Sequence, residues 1–229
     1  MVAITQSHVR IADLSKKYGD HGVEALRGIN LDIAKGRFIA LMGPSGCGKS
    51  TLLNCLAGID KPTSGAILID GADVTKLNEN ELTFLRREKI GFVFQFFNLL
   101  STLTARENIE LPLDLAGRLS RAEIRTRVDE LLSELGLLGR ADFYPSQLSG
   151  GEMQRIAVLR AVVHKPQIIL ADEPTGNLDT TNGEQILELL KRLCSDRGET
   201  ILMATHSEEA ARYADSVIRM KDGQIVGAS

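Results

Sequence analysis

The sequence predicts an α/β fold: a parallel sheet flanked by helices, preceded by a strand-rich segment and interrupted by a block of helices. Three observations predict it. The apolar run Ile39-Ala40-Leu41-Met42 feeds a glycine-rich loop that opens into a helix from Lys49 to Leu56. Strands and helices alternate from Gln167 onward, and such alternation implies parallel strands joined by crossover helices. Between about Gln95 and His164 the pattern is largely helical. The 229 residues, 43% of them hydrophobic, suffice for the core of one large α/β domain or two small ones.

Taken in order, Val9–Leu14, Gly28–Ile33, Arg37–Met42 and Ala66–Ile69 are short apolar or alternating runs, punctuated by Ala34-Lys35-Gly36 and Asp70-Gly71, and read as strands. Arg86-Arg87-Glu88-Lys89 reads as a solvated helix face. Ile90–Phe94 is a further strand. Ser120-Arg121-Ala122-Glu123 has the form of a capping box, followed by Ile124, Val128, Leu131, Leu132 and Leu135 at helical spacing, with Gly136 as the stop. Gln167–Ala171 and Thr200–Ala204 are buried strands on either side of a helix from Gly183 to Cys194. A helix over 207–214 follows, and then a hairpin turning at Asp222-Gly223. There is no repeat, low-complexity tract or interdomain linker.

The loop Gly43-Pro44-Ser45-Gly46-Cys47-Gly48-Lys49-Ser50 has the spacing of a triphosphate cradle. Its glycines let backbone N–H groups turn inward onto anionic oxygens at a helix N-terminus. Lys49 would reach the β- and γ-phosphates, and the Ser50 hydroxyl would ligate Mg²⁺. Strand Ile168–Leu170 runs into Asp172-Glu173, and carboxylates at the carboxyl end of a parallel strand face the ligand crevice. Asp172 would hold the Mg²⁺ shell, and Glu173 would orient and polarise the attacking water. His206 follows the next strand, where a neutral imidazole would hydrogen-bond a γ-phosphate oxygen or the water.

Leu148-Ser149-Gly150-Gly151-Glu152 reads locally as a helix start, with Ser149 as N-cap and Glu152 as its box partner. Two glycines in a first turn weaken a helix by roughly 1 kcal/mol each relative to Ala. Cap chemistry does not require them. Glycines there expose N–H groups at the positive end of the helix dipole and make a second phosphate site. Two copies packed head to tail would each offer this helix end to the other's γ-phosphate.

Composition narrows the classes. A net charge of −3 supplies no basic field for nucleic acid. No apolar stretch approaches the roughly 18 residues of a membrane span, and Met1–His8 lacks a signal-peptide core, which predicts a soluble chain. Cys47, Cys55 and Cys194 match no metal or disulfide spacing and point to a reducing cytoplasm.

With these motifs in this order, the chain resembles the ATP-binding-cassette (ABC) ATPases over essentially its whole length. The resemblance implies a P-loop NTPase core with an N-terminal antiparallel β subdomain and an inserted α-helical subdomain. The core and β subdomain would occupy about 1–94 and 165–229, and the helical subdomain about 95–164. It implies that 43–50 is Walker A, with Thr51 also binding nucleotide. Ile168–Asp172 with Glu173 is then Walker B plus the catalytic glutamate, and Leu148–Glu152 the family signature. Gln95 matches the glutamine that contacts Mg²⁺ and senses the transporter. Gly176-Asn177-Leu178-Asp179 matches the loop at the dimer interface, His206 the switch histidine, and Tyr18 the aromatic that stacks on adenine.

Ala171–Asp179, Phe94–Leu100 and Thr104–Asn108 are similar to one branch, that of macrolide-exporter, lipoprotein-releasing, heterocyst-type exporter and cell-division ATPases. Glu152-Met153 stands where the broad family often has Gln, and Leu159 and Val162 depart from its commoner residues. The branch implies an ATP- and Mg²⁺-dependent subunit that dimerises in ATP at the inner face of the cell membrane. It would bind a separate permease with a large extracytoplasmic domain, in some members with an adaptor protein. The chain ends soon after the hairpin, so no regulatory domain or fused membrane domain is expected. A regulator of cell-wall hydrolysis or cell division would use the same motor without moving cargo. A DNA-repair or ribosomal relative would need a coiled coil, zinc hook or second cassette. Phe96, Phe97, Leu99 and Leu100, with Leu103 and Arg106, are expected to form the permease dock, because large apolar residues crowd one short loop after Gln95.

Overall fold

The computed structural model describes residues 7–19 and 22–228, so nearly all of the Met1–His8 segment lies outside the described residues. Strands β1 (Val9–Lys17), β2 (Glu24–Ile33) and β3 (Phe38–Met42) lead into helix α1 (Lys49–Leu56). Then come β4 (Ser64–Ile69), β5 (Ala72–Asp73), α2 (Glu79–Glu88) and β6 (Ile90–Val93). Helices α3 (Ala105–Ala116), α4 (Arg121–Glu134) and α5 (Gly150–Val162) form the central block. The chain closes with β7 (Ile168–Asp172), α6 (Thr180–Arg197), β8 (Thr200–Thr205), α7 (Glu208–Ala211), β9 (Ser216–Lys221) and β10 (Gln224–Ala228).

Two sheets result. One is antiparallel, in the order β2-β1-β4-β5. The other runs β10-β9-β3-β8-β7-β6; its five strands from β9 to β6 are parallel, and β10 returns antiparallel as a hairpin. The predicted α/β class holds. The central strands β3, β8 and β7 are buried on both faces, and alternation sorts their side chains. Ile39, Leu41, Ile168, Leu170, Leu202 and Ala204 pack with α1 and the antiparallel sheet. Phe38, Ala40, Met42, Ile169, Ala171, Ile201 and Met203 pack against α5 and α6. This explains why these strands read as continuous apolar runs.

A third apolar cluster lies within the helical block, from Ala105 through Ile109, Val128 and Leu132 to Ile156 and Val163. The capping boxes expected at Ser120 and Ser149 form, and Asn78 and Thr104 make two more with Glu81 and Glu107. Helix α6 starts earlier than its apolar pattern suggested because Asp179 caps it, accepting from the Asn182 backbone N–H at 2.9 Å. Helix α7 is shorter than the 207–214 stretch read from sequence.

Asn108, fully buried on α3, organises the loop before its own helix. Its Oδ1 accepts from the Leu100 N–H at 2.8 Å, and its Nδ2 donates to the carbonyls of Leu100, Leu103 and Thr104 at 3.1, 3.1 and 2.9 Å. Asn108→Ala should therefore cost about 1–3 kcal/mol, the penalty for stranding buried polar groups. Urea denaturation should show a lower midpoint with an unchanged slope.

Candidate functional site

The loop between β3 and α1 leaves the helix start without a side-chain cap, whereas α2 through α6 each have one. The free N–H groups of α1 therefore face the cavity at the positive end of its dipole, where an anion is stabilised. Gly48 makes this entry possible. Its φ is 105°, and a Cβ there would lie 2.5 Å from the Ala25 carbonyl oxygen of β2. The loop is also held by the hairpin turn, where the Gly223 N–H donates to the Cys47 carbonyl at 3.1 Å.

Ser45, Gly46, Gly48, Lys49, Ser50, Thr51, Gln95, Asp172 and Glu173 line one cavity of about 630 Å³. That size suits a nucleotide. Val23, Glu24, Ala25 and Arg27 of the β2 region and Asp222-Gly223 complete its wall. Lys49 is nearly buried; its Nζ donates to the carbonyls of Gly43 at 2.7 Å and Pro44 at 3.1 Å, and lies 3.9 Å from Glu173 Oε1. The Ser50 hydroxyl donates to Asp172 Oδ1 at 3.0 Å. Burial holds the Asp172 carboxyl above the usual range, with the Ser50 hydrogen bond opposing and the Glu173 charge reinforcing the shift.

Glu173 sits at φ 45°, a left-handed conformation that costs a non-glycine residue roughly 1–2 kcal/mol. Its N–H donates to the Ala204 carbonyl at 3.0 Å and its own carbonyl accepts from Gly176 at 3.0 Å, which holds the turn. The carboxylate meets exposed His206, with Glu173 Oε2 3.1 Å from Nδ1. Gln95 is tied down through its backbone, its carbonyl accepting from Asn177 Nδ2 at 2.8 Å.

Other sequence-predicted residues lie elsewhere. Gly43 and Pro44 contribute carbonyls to Lys49 and, with His206, line a neighbouring recess. Cys47 is buried and does not line the cavity. Tyr18 is outside the cavity lining; its hydroxyl donates to Asp60 Oδ2 at 2.7 Å, and Lys16 Nζ lies 4.7 Å from its ring centre. Ser149, Gly150, Gly151 and exposed Asp179 also lie outside it.

Ser149 is engaged in a complete capping box: its N–H and Oγ both donate to Glu152 Oε2 at 2.8 Å, and Oγ accepts from the Glu152 N–H at 3.3 Å. Gly151 has a packing reason that its sequence context does not disclose. A Cβ there would fall 2.1 Å from Asn182 Oδ1 at the start of α6, whereas Gly150 meets nothing closer than 3.5 Å.

The expected apolar dock is only partly exposed. Phe96 and Leu100 face solvent, Phe97 and Leu103 are half-buried, and Leu99 packs onto the core of the helical block. Arg106 is buried in an ion pair with Asp129, with Asp142 3.7 Å from its Nε, so it presents no charge to a partner. Sequence reading missed Arg160, which donates from α5 to the carbonyls of Asn98 at 2.5 Å and Phe97 at 2.8 Å. Phe97 and Asn98 are consecutive left-handed residues, at φ 59° and 49°. An Arg on a helix carries no local signal for such a distant clamp.

The sequence profile of the ABC transporter family matches residues 26–176. The chain is 50% identical over 220 residues to the macrolide export ATP-binding/permease protein MacB of Brucella abortus, covering 95% of this chain and 34% of MacB. It thus spans about a third of that relative's length. It is 46% identical over 222 residues to MJ0796, an uncharacterized ABC transporter ATP-binding protein of Methanocaldococcus jannaschii, covering 95% of this chain and 94% of that protein. A dimeric structure of MJ0796 in a post-hydrolysis state bound to ADP and Pi superposes with a TM-score of 0.89 at 45% identity, covering 96% of this chain and 97% of that one.

The half-buried Asp172 carboxylate generates a pH-dependent cost. Its folded value lies above its unfolded one, so its contribution favours folding below the ordinary carboxylate range and is lost as pH rises through the folded value. Without nucleotide or metal, Asp172→Asn should be more thermally stable than the parent at pH 7. The advantage should shrink as pH falls toward 4, measured by thermal denaturation across that range.

Proposed function

This chain belongs to the ABC transporter family, with the ATPase activity of its ATP-binding domains, and we propose from that premise that it drives a separate membrane permease through ATP-dependent closure of a homodimer. The observation that carries the reading is the convergence of Lys49, Ser50, Asp172 and Glu173 on one cavity, with His206 3.1 Å from the Glu173 carboxylate. ATP would lie with its phosphates on the N–H groups of 45–51 and its β- and γ-oxygens at the Lys49 ammonium. Lys49 now spends its protons on the loop's own carbonyls, so exchanging them for phosphate oxygens loses no donor.

The Ser50 hydroxyl, the Asp172 carboxylate and the Gln95 amide oxygen are hard oxygen donors beside the same cavity, a set that fits Mg²⁺. Two or three protein ligands suffice where substrate phosphates and water complete an octahedron, which agrees with the absence of any three-residue His/Cys/Asp/Glu cluster among the described residues. Bound there, Mg²⁺ would neutralise charge on the β- and γ-phosphates. Glu173 accepts a proton from the attacking water, and His206 orients that carboxylate and the γ-phosphate. Tyr18, held by Asp60, would carry the adenine.

Ser149, Gly150, Gly151 and Asp179 lie outside the cavity of their own subunit, which supports their acting on a partner's nucleotide. The helical unit, 95–164, has its own apolar cluster and is read as a subdomain of the one domain. No helix among the described residues is long and apolar enough to cross a membrane, which supports a place on the cytoplasmic face through a permease. The likeness to MacB favours export or extraction over a cargo-free regulator, with a permease bearing a large extracytoplasmic domain and an adaptor as further partners. We assign no nucleic-acid partner.

Glu173→Gln should keep ATP binding, slow hydrolysis by roughly 10²- to 10⁴-fold, and accumulate dimer in ATP. Light scattering at high protein concentration checks it; a monomer in ATP would remove closure of the isolated subunit. For the dock, Phe96→Ala and Leu100→Ala should keep basal hydrolysis while losing co-purification of the permease. Normal co-purification of both places the coupling surface elsewhere.

A further inference from the structure

Three segments that carry proposed site residues meet at one buried side chain. Gln154 lies on α5, the helix capped by Ser149, and is fully buried. Its Nε2 donates to the Pro174 carbonyl at 2.8 Å and lies 3.5 Å from the Phe94 carbonyl. Pro174 directly follows Glu173, and Phe94 directly precedes Gln95. The two loops are also tied to each other, through Asn177 and the Gln95 carbonyl.

Both neighbours of the amide are carbonyls, so its orientation is decided: the NH₂ faces them and Oε1 points away. Oε1 accepts no hydrogen bond within the protein. A buried acceptor without a donor is destabilising, and an apolar residue of similar volume would avoid that cost. That cost opposes the hydrogen bond to the Pro174 carbonyl, so stability alone is a weak reason for an amide here. What the amide supplies is a double donor that holds two backbones at once.

We propose that Gln154 is a positioning residue that couples the α5 N-terminus to the Glu173 and Gln95 loops. An anion drawn onto the N-terminus of α5 shifts that helix, and Gln154 carries the shift to the Pro174 and Phe94 carbonyls. The Glu173 carboxylate is thereby aimed only when the helix is seated. The proposal rests on the roles given above to Glu173 and Gln95.

Gln154→Met and Gln154→Leu remove the donors at nearly constant volume. Both should fold, with a urea midpoint no more than modestly below the parent's, because the stranded Pro174 carbonyl is offset by removal of the unpartnered Oε1. Both should bind ATP within about twofold of the parent's Kd. Their kcat should fall roughly 10- to 100-fold, the scale of a slightly misplaced catalytic group. In single-turnover hydrolysis, adding Gln154→Met to Glu173→Gln should cost less than about twofold more, because both changes act through one carboxylate. A purely structural role predicts losses that multiply. Unchanged kcat in the single variants, multiplying losses in the double variant, or failure of both single variants to fold each overturns the proposal. Parent-level hydrolysis by Glu173→Gln alone would separately remove the base assignment, and this inference with it.

Discussion

The register of the parallel sheet is the constraint on which the site depends. Val93 pairs with Ala171, Asp172 with Ala204, and Met42 with Thr205, so four loops leave the sheet at one level. The loop at Gly43, the Asp172-Glu173 pair, His206 and Gln95 are each within two residues of those pairs. A slip of one residue in any strand would exchange the two sets of core side chains, because alternate residues pack against different helices. Both faces are buried, so that exchange is heavily penalised. The site inherits its precision from apolar packing that touches no ligand.

That scaffold carries local costs at the carboxyl ends of its interior strands. Helix α1 begins without a side-chain cap, Glu173 is left-handed, and burial disfavours the charged form of Asp172. None of these would persist on propensity alone. Away from the cavity, Asn78, Thr104, Ser120 and Asp179 cap their helices, while Phe97 and Asn98 are left-handed without lining it. Three departures from local rules thus meet where phosphate would bind, the pattern expected when function opposes stability.

What was legible in the sequence was local. The 43–50 loop, the acids after β7, His206 and the α4 start each depend on neighbours a few residues away; in the structure the loop joins β3 to α1, the acids lie at the end of β7, and His206 follows β8. Residues defined by distant partners were not legible. Arg106 looks like a surface charge until Asp129 is seen beside it, and Leu99 looks like an exposed anchor until the helical core covers it. Gly151 owes part of its identity to Asn182, and Gln154 owes its place to two carbonyls in other segments. Helix α3 even continues through Pro112, which local rules would treat as a stop.

The two helices proposed to face phosphate are prepared differently, and the difference bears on the proposed closure. Helix α1 offers free N–H groups at once, whereas Ser149 spends its hydroxyl proton on Glu152. On the proposed head-to-tail closure, Ser149 must turn that proton toward a partner's γ-phosphate. Glu152 would not be left bare, since it keeps the Ser149 N–H at 2.8 Å and Arg140 Nε at 3.0 Å. Recruiting α5 therefore takes one hydroxyl rotation and no rebuilding of the helix start. A site assembled with so little reorganisation can stabilise charge as soon as the two subunits meet. On this proposal, each cassette would until then hold nucleotide beside a carboxylate that its own α5 has yet to aim.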